Sequence, residues 1–342
     1  MAVAATALAM VVSPAIASAG GLTVIAGGLD NPRGLTFAPD GSLYVAEGGR
    51  GGSGPCVPGP EGTSCFGTSG AITKVNHGHQ ERVLTGLPSV AAPNGTNAIG
   101  PSDVSESLGR VNFTVGLGLN PAARSQFPAP GQQLATLQRL AGYRGAHQVT
   151  DLGAYEASAN PDGNAPDTNP VSLTSSVFGT VVADAGGNDL VWVSPSGKTS
   201  TLAVFPKANG TDAVPTGVVH GPDGAYYVGQ LTGFPFVPGA AKVFRVRPGA
   251  EPEVAAEGFT NIIDVAFGPD GCLYVLEISA KGLTSGDPTG ALIKVGHGQT
   301  RTVIASTGLE APGGLTIRGR YAYVSNHGTS PGGGEVVRIP LR

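Results

Sequence analysis

Two stretches of the chain share one pattern of strand, turn and strand. PRGLTFAPDGSLYV at residues 32–45 and IDVAFGPDGCLYV at residues 263–275 each join an apolar segment to an aromatic one through Pro-Asp-Gly. β-Branched and aromatic segments on either side of a tight glycine turn are typical of paired strands. Each stretch therefore predicts an antiparallel hairpin.

The same unit recurs along the chain. Further copies begin at Pro215 and Pro312, and two degraded copies begin near Pro101 and Pro170. Alternating third strands, such as Gly70–Val75, follow most copies, and fourth strands come after tight turns. Four strands at a spacing of roughly 40–50 residues are the repeat of a β-propeller. Six copies predict six blades.

The two ends of the chain are expected to meet. Leu22–Ile25 resembles an isolated fourth strand, and the last unit, which ends near Pro340, lacks one. Pairing them would close the ring and remove an open sheet edge. Two packed β-sandwiches are the alternative, but they do not require so regular a turn. Helical periodicity is nearly absent, with Gly131–Arg139 the one ambiguous stretch. We predict an all-β six-bladed propeller with four-stranded antiparallel blades in a single domain, residues 20–342.

Composition and the N-terminus bear on partners and location. The net charge is −4 without a basic block, which argues against nucleic acid and gives no reason to expect an anionic membrane. Residues 1–19 predict a signal peptide, with an apolar run too short to span a bilayer before Ala17-Ser18-Ala19. An ordinary apolar strand is the alternative. We expect a monomer without a transmembrane span, secreted or held in the cell envelope or periplasm.

The three cysteines fit an exported protein. Cys56 and Cys65 share one Gly/Pro-rich loop, where a disulfide would supply order. Two free thiols on a mobile loop are the alternative. Cys272 follows a turn and is expected to act as a small apolar residue at the start of a strand. No Cys/His spacing resembles a zinc site.

Polar residues recur where strands are predicted to begin or end on one face of the ring. The channel-mouth candidates for binding a ligand or a metal are Glu47, Asp103, Asp184, Gln230, Asp264, Glu277, Asn326 and His327. Clustered oxygens suit a hard cation such as calcium. The alternative is structural, because carboxylates and amides at strand ends often cap backbone groups or pair with arginine.

No catalytic constellation is visible. His327 is the one histidine placed to act as a base, and a hydrogen-bonded loop residue is its alternative interpretation. No nucleophile elbow, phosphate loop or dinucleotide fingerprint occurs in a strand-to-helix context. We predict a propeller that binds a small molecule, glycan or protein on its channel face. The alternative is a calcium-dependent hydrolase, lactonase or lyase with Glu47, Asp184 and Glu277 among the metal ligands, and catalytic residues are not assigned.

Four segments resemble one family of exported propellers. Residues 28–35, 182–190, 227–236 and 324–328 look like the ScyD/ScyE family, whose founding members come from cyanobacterial scytonemin gene clusters. The likeness extends from about Gly21 to Arg342, and residues 230–236 are its most specific piece. The resemblance implies export and a propeller. It transfers no catalytic role, because the family has no settled activity. At the level of fold, the blades are also similar to gluconolactonase-like and streptogramin-lyase-like propellers.

Overall fold

Six antiparallel sheets account for most of the chain. The computed structural model describes residues 21–59, 62–142, 145–207 and 210–341. Five of the sheets have four strands and one has five, which confirms the predicted all-β class and six four-stranded blades. The predicted signal peptide lies outside the described residues.

The blades follow one another along the chain, each with its first strand innermost. Blade 1 contains β2 (Pro32–Phe37), β3 (Leu43–Glu47), β5 (Gly62–Asn76) and β6 (His79–Ala91), with β4 (Cys56–Gly59) added beside β5. Blade 2 contains β7 (Pro101–Ser107), β8 (Arg110–Val115), β9 (Thr136–Ala141) and β10 (Gly145–Asp151). Blade 3 contains β11 (Pro170–Ser176), β12 (Gly179–Asp184), β13 (Asp189–Val193) and β14 (Thr199–Val204).

The second half of the ring repeats this order. Blade 4 contains β15 (Pro215–His220), β16 (Tyr226–Gln230), β17 (Ala241–Val246) and β18 (Glu253–Phe259). Blade 5 contains β19 (Ile262–Phe267), β20 (Leu273–Glu277), β21 (Ala291–Val295) and β22 (Arg301–Ala305). Blade 6 contains β23 (Gly314–Arg318), β24 (Tyr321–Asn326), β25 (Gly334–Pro340) and β1 (Thr23–Leu29).

The predicted closure of the ring is confirmed by blade 6. β1 pairs with β25, from Thr23 opposite Arg338 to Leu29 opposite Gly334. The first residues of the fold therefore supply the outer strand of the last blade. This pairing removes an open edge that would otherwise be free to associate with another chain.

Apolar side chains are buried between blades. Each of six buried clusters joins two neighbouring blades; for example, Leu276 of blade 5 lies in one cluster with Val324 of blade 6. The first strands contact one another in a closed circle. The axis is therefore lined by the first strands, and the connections before them share one face of the ring with the connections from second to third strands. We call this face the channel face.

A helix interrupts the repeat between blades 2 and 3. Helix α1 (Leu152–Ala159) begins where the Asp151 carboxylate accepts a hydrogen bond from the Ala154 amide. It ends at Asn160, which is in the left-handed conformation (φ 38°). The ambiguous stretch near Gly131 forms a short 3-10 helix and then β9. The 3-10 helices are Pro121–Gln126, Ala129–Gln133, Leu283–Ser285 and His297–Gln299.

The predicted disulfide joins Cys56 to Cys65 across the β4–β5 hairpin, with 4.0 Å between the two Cα atoms. The adjacent Phe66 ring stacks on Phe127, with ring centres 5.2 Å apart, so the hairpin is anchored on blade 2. Cys272 is a free, half-buried thiol. Throughout the described ranges, no helix is long and apolar enough to cross a membrane.

Candidate functional site

Six residues at one equivalent position form a ring around the axis. Each one precedes the buried aliphatic residue of its first strand. In blade order they are Gly34, Asp103, Ser172, Gly217, Asp264 and Gly314. Asp103 and Asp264 belong to blades 2 and 5, which are opposite each other in a ring of six. Two of the predicted site residues are therefore brought together at the axis.

The two aspartates make similar contacts. Asp103 Oδ1 accepts from the next amide, that of Val104 (2.7 Å), and Oδ2 accepts from the Leu173 amide and the Ser172 hydroxyl (both 2.9 Å). Asp264 Oδ1 likewise accepts from the Val265 amide (2.8 Å), as part of the same local geometry. Each carboxyl group thus bridges its own blade and the next one.

The second oxygen of Asp264 is bonded by an amide of the next blade, blade 6. Its Oδ2 accepts from the Leu315 amide at 2.7 Å. Asp103 is only 8% exposed, and Asp264 is partly exposed.

Burial makes both carboxyl groups weak acids. It raises the pKa of Asp103 to about 7. Burial also raises the pKa of Asp264 well above its ordinary value, and the charge of Asp103 raises it further. Because the two groups interact, they titrate as a pair. Near neutral pH this pair retains a proton, so it can both donate and accept a hydrogen bond.

Glycine in the preceding blade provides space for each aspartate. A Cβ atom on Gly34 would lie 1.8 Å from Asp103 Oδ1, and one on Gly217 would lie 2.6 Å from Asp264 Oδ1. Both distances are far below a van der Waals contact. The carboxyl pair and the two glycines therefore form one arrangement repeated on opposite sides of the axis.

The residues that end the second strands accept hydrogen bonds from the connections that lead into their blades. Glu47 accepts from the Asp30 amide (2.7 Å), and Asn326 accepts from the Glu310 amide (2.8 Å). Glu277 does the same with the Thr260 amide (2.6 Å). In each case the side chain fixes the connection that leads into its own blade, which is the capping role weighed as the structural alternative.

Asp184 is the blade 3 member of this set. It accepts from the Asn169 amide (2.6 Å), the Thr168 hydroxyl (2.5 Å) and the amides of Gly186 and Gly187 (both 3.1 Å). Burial nevertheless raises the pKa of Asp184. Its oxygens are thus engaged within blade 3 and its entry connection.

Arginines on the fourth strands interact electrostatically with two of these acids. Arg82 donates to both oxygens of the fully buried Glu47 (2.9 and 2.6 Å) and also contacts Asp30 (3.1 Å). In blade 5, burial raises the pKa of Glu277 to about 7, and the positive charge of Arg301 opposes that rise. Glu47, Asp184 and Glu277 are therefore each engaged in a separate blade.

Gln230 ends the second strand of blade 4 without such contacts. It is 1% exposed, and neither its Nε2 nor its Oε1 has a hydrogen-bond partner among the described residues. The nearby Thr232 hydroxyl is also buried and unpaired within the same ranges. Buried polar groups are usually paired, so this corner of the channel face has unused hydrogen-bonding capacity.

His327 lies beside carboxylates of blade 6. Its Nδ1 is 3.6 Å from Glu310 Oε2, and its Nε2 is 3.8 Å from Glu335 Oε1. The side chain is 32% exposed. The acidic neighbours of His327 are therefore Glu310 and Glu335, and not the Asp103–Asp264 pair. A role for His327 as a base remains a prediction.

One acidic group was missed by sequence reasoning. Glu156, Asp162, Asp167 and Asp189 lie near Asp184, and their charges affect one another's pKa values. The signal available in the sequence was the density of Asp and Asn in residues 160–169. Within the described ranges, no group of three or more His, Cys, Asp or Glu side chains could hold a metal ion.

Comparisons with known proteins identify the fold. No protein-family model matches the chain, and no curated protein matches it. Virginiamycin B lyase from Staphylococcus aureus is a similar solved structure, with TM-score 0.53, 12% identity, and coverage of 94% of this chain and 99% of that chain. A gluconolactonase from Xanthomonas campestris has TM-score 0.56 and 12% identity, with 94% and 89% covered.

A third solved structure extends the range of chemistry found on similar folds. The PQQ-bound aldose sugar dehydrogenase from Streptomyces coelicolor has TM-score 0.55 and 12% identity, and 94% of this chain and 98% of that chain are covered. At this level of identity, the similarity shows a shared propeller fold alone.

Proposed function

We propose that this protein binds a small polar molecule, glycans included, at the mouth of its central channel without transforming it. The observation that supports this is the facing pair Asp103 and Asp264, which interact across the axis, with Asp264 partly exposed. Ligand sites commonly combine a concave setting with a few convergent polar groups.

The protonation state of the pair favours a ligand with hydroxyl or amide groups. One carboxyl group can donate a hydrogen bond and the other can accept one, because burial raises the pKa of Asp103 to about 7. A hydroxyl group matches both needs, since it donates and accepts.

The enzymatic alternative receives less support. A calcium-dependent hydrolase, lactonase or lyase was expected to use Glu47, Asp184 and Glu277 together. Each of these acids instead accepts hydrogen bonds from its own blade and entry connection. The similar lyase and gluconolactonase folds do not transfer an activity, because many chemistries occur on propellers.

Export is part of the same proposal. A disulfide in a loop is typical of proteins in oxidising compartments, and Cys56–Cys65 fits that setting. We propose secretion or retention in the cell envelope, and membership of the ScyD/ScyE-like propellers. N-terminal sequencing of the mature protein tests export: a start near residue 20 supports it, and an intact residue 1 in the cell contradicts it.

The binding proposal is tested by isothermal titration with panels of hydroxylated metabolites and glycans. The wild type should bind a member of the panel, and Asp264→Asn should weaken that binding by about tenfold or more, since the lost group is at the polar centre. Asp223→Asn is the matched control, because Asp223 pairs with Arg245 at the opposite end of a blade 4 hairpin. Equal affinity in the wild type and Asp264→Asn would exclude the axial site. Product formation would favour the enzymatic alternative.

A further inference from the structure

The turns between first and second strands are apolar in blades 2 and 3 and polar in the other blades. Blades 1, 4 and 5 carry Pro-Asp-Gly at this position, and blade 6 carries Arg318-Gly319-Arg320. Blade 2 instead presents Leu108, and blade 3 presents Val177 and Phe178. These turns lie on the face of the ring opposite the channel face, because each first strand begins on the channel face. Two neighbouring blades therefore place apolar residues side by side on that opposite face.

The apolar turn residues are exposed. Leu108 is 77% exposed, Val177 is 54% exposed and Phe178 is 79% exposed. Leu108 also has a positive φ of 52°, a conformation that asparagine or glycine usually supplies in a two-residue hairpin turn. Strained residues of this kind cluster at functional sites. Single exposed apolar residues are ordinary, but a patch on adjacent turns suits a binding partner.

A small depression lies between these two turns. It encloses about 60 Å³ and is bordered by both blades, with Leu108, Arg110 and Arg139 from blade 2 and Val177 and Ser194 from blade 3. We call it the blade 2–3 notch. Pockets that enclose a whole ligand usually measure about 300–1,000 Å³. The blade 2–3 notch therefore suits one small group of a larger molecule.

Strand register directs two arginines into the notch. Arg110 and Asn112 alternate onto the same face of β8, and Arg139 is opposite Asn112 on β9. The Asn112 side-chain amide donates to the hydroxyls of Ser175 (3.0 Å) and Thr180 (3.3 Å), so this face of blade 2 is turned toward blade 3. The side-chain oxygen of Asn112 accepts from Arg139 Nε at 2.8 Å and fixes that guanidinium group at the notch.

The positive charge of the notch lacks a counter-ion within the described ranges. Neither Arg110 nor Arg139 forms an ion pair there, and the lining of the notch contains no acidic side chain. Partial burial lowers the pKa of Arg139, and the positive charge of Arg110 lowers it further. Glu106 precedes the turn but accepts from the Gly109 amide at 2.5 Å. An anion bound between the two guanidinium groups would relieve their repulsion.

We propose that the blade 2–3 notch binds the phosphate group of an anionic phospholipid at a membrane surface, with Leu108, Val177 and Phe178 in contact with the acyl chains. Guanidinium groups match phosphate oxygens in geometry as well as in charge. Exposed leucine and phenylalanine next to basic side chains are typical of proteins that bind the interface of a bilayer.

The shape of the patch favours a lipid over an acidic protein. The apolar side chains project from turns and do not line a groove, which suits a fluid acyl layer. The net charge of −4 gives no reason to expect a membrane partner for the chain as a whole, but the two arginines concentrate positive charge at this one point. Binding through the notch would leave the channel face directed away from the bilayer and accessible from solution.

Co-sedimentation of the full-length protein with lipid vesicles tests this proposal. The protein should bind vesicles of phosphatidylglycerol and phosphatidylcholine in equal parts, and should bind pure phosphatidylcholine vesicles much more weakly. Added salt should weaken the binding, because it screens interactions between exposed charges. Inorganic phosphate should compete only weakly, since it has no acyl chains.

Three variants and one control locate the site. Arg110→Gln and Arg139→Gln should each weaken binding to the anionic vesicles by about fivefold, the contribution of one basic side chain near an anionic surface. Phe178→Ser should weaken it by about tenfold, because it removes an apolar contact with the acyl chains. The Arg110 and Phe178 side chains are exposed, so these two variants should keep the fold. Arg320→Gln is the control, because Arg320 is exposed in the equivalent turn of blade 6.

Four outcomes would overturn the proposal. The first is no sedimentation with anionic vesicles, and the second is equal binding to both kinds of vesicle. The third is an equal loss in Arg320→Gln and Arg110→Gln, because the attraction would then be diffuse. The fourth is retention on immobilised polyglutamate without vesicle binding, which would assign the notch to an acidic protein. Asp264→Asn should bind vesicles as the wild type does, so this proposal and the proposed channel ligand can fail separately.

Discussion

Asp103 and Asp264 lie at equivalent positions on first strands of opposite blades, and the charge of Asp103 raises the pKa of Asp264. Neither residue has an arginine or lysine among its hydrogen-bond partners in the described structure; amides and one hydroxyl surround them. The propeller thus holds at its axis two acids with raised pKa values and, among the described residues, no positively charged hydrogen-bond partner. Its stability should therefore depend on pH.

Asp103→Asn tests that dependence. The folded-state pKa of Asp103 is about 7, above its ordinary value of 3.8, so the folded protein holds this proton more tightly than the unfolded chain. The resulting stabilisation is complete below about pH 4 and is lost as the pH rises to about 7. In chemical denaturation, the free energy of unfolding of the wild type should fall, relative to that of the variant, by up to about 1.4 kcal/mol per pH unit in this window. Parallel pH profiles for the two proteins would contradict it.

Gly34→Ala should destabilise the fold by about 1–3 kcal/mol, because the added methyl group overlaps the Asp103 carboxylate. The nearest three atoms all belong to the Asp103 side chain, so the cost should fall in an Asp103→Gly background. A double-mutant cycle by urea denaturation measures this coupling. Gly27→Ala is the matched control, because a Cβ there meets nothing within 4 Å. An equal cost with and without Asp103 would show that the clash is not with this carboxylate.

The repeat could be predicted because it rests on local signals. Pro-Asp-Gly between apolar segments specifies a hairpin without reference to the rest of the chain. The expected positions of Glu47, Asp184, Gln230, Glu277 and Asn326 at the ends of second strands agree with the observed strand boundaries. The pairing of β1 with β25 could also be predicted, because the chain begins with a spare fourth strand and its last repeat lacks one.

Side-chain partners could not be predicted in the same way. The position of Glu47 follows from the repeat, but its contact with Arg82 depends on how β6 packs beside β3 and β5. Helix α1 was missed because LGAYEASA has no apolar stripe and its stability depends on the Asp151 cap and on contacts with blade 3. The acidic group around Asp184 combines that helix with three other segments, so no single stretch of sequence reveals it.

Arg82→Met should destabilise the protein by about 2–3 kcal/mol, because it leaves the fully buried Glu47 without its charged partner. This figure is below that of a fully buried pair, since the Arg82 side chain is 38% exposed. Arg50→Met provides the control. Arg50 pairs with Asp30 in the same network but is 54% exposed, so its loss should cost less than about 1 kcal/mol. Equal midpoints of urea unfolding for the two variants would contradict the difference in burial.

Removal of the Cys56–Cys65 disulfide should act locally rather than on the whole propeller. The bridge closes a short hairpin at the periphery of blade 1, beside an open depression of about 520 Å³ lined by residues such as Gly52, Phe66 and Pro130. A crosslink over a loop of this size contributes about 2–3 kcal/mol, here against opening of the hairpin.

In Cys56→Ser/Cys65→Ser, amide hydrogen exchange of β4 and the start of β5 should accelerate by about 10- to 100-fold. Cys272→Ser is the control, because that thiol is free, and it should leave the exchange of this hairpin unchanged. Uniform acceleration across all six blades would instead assign the disulfide a global role.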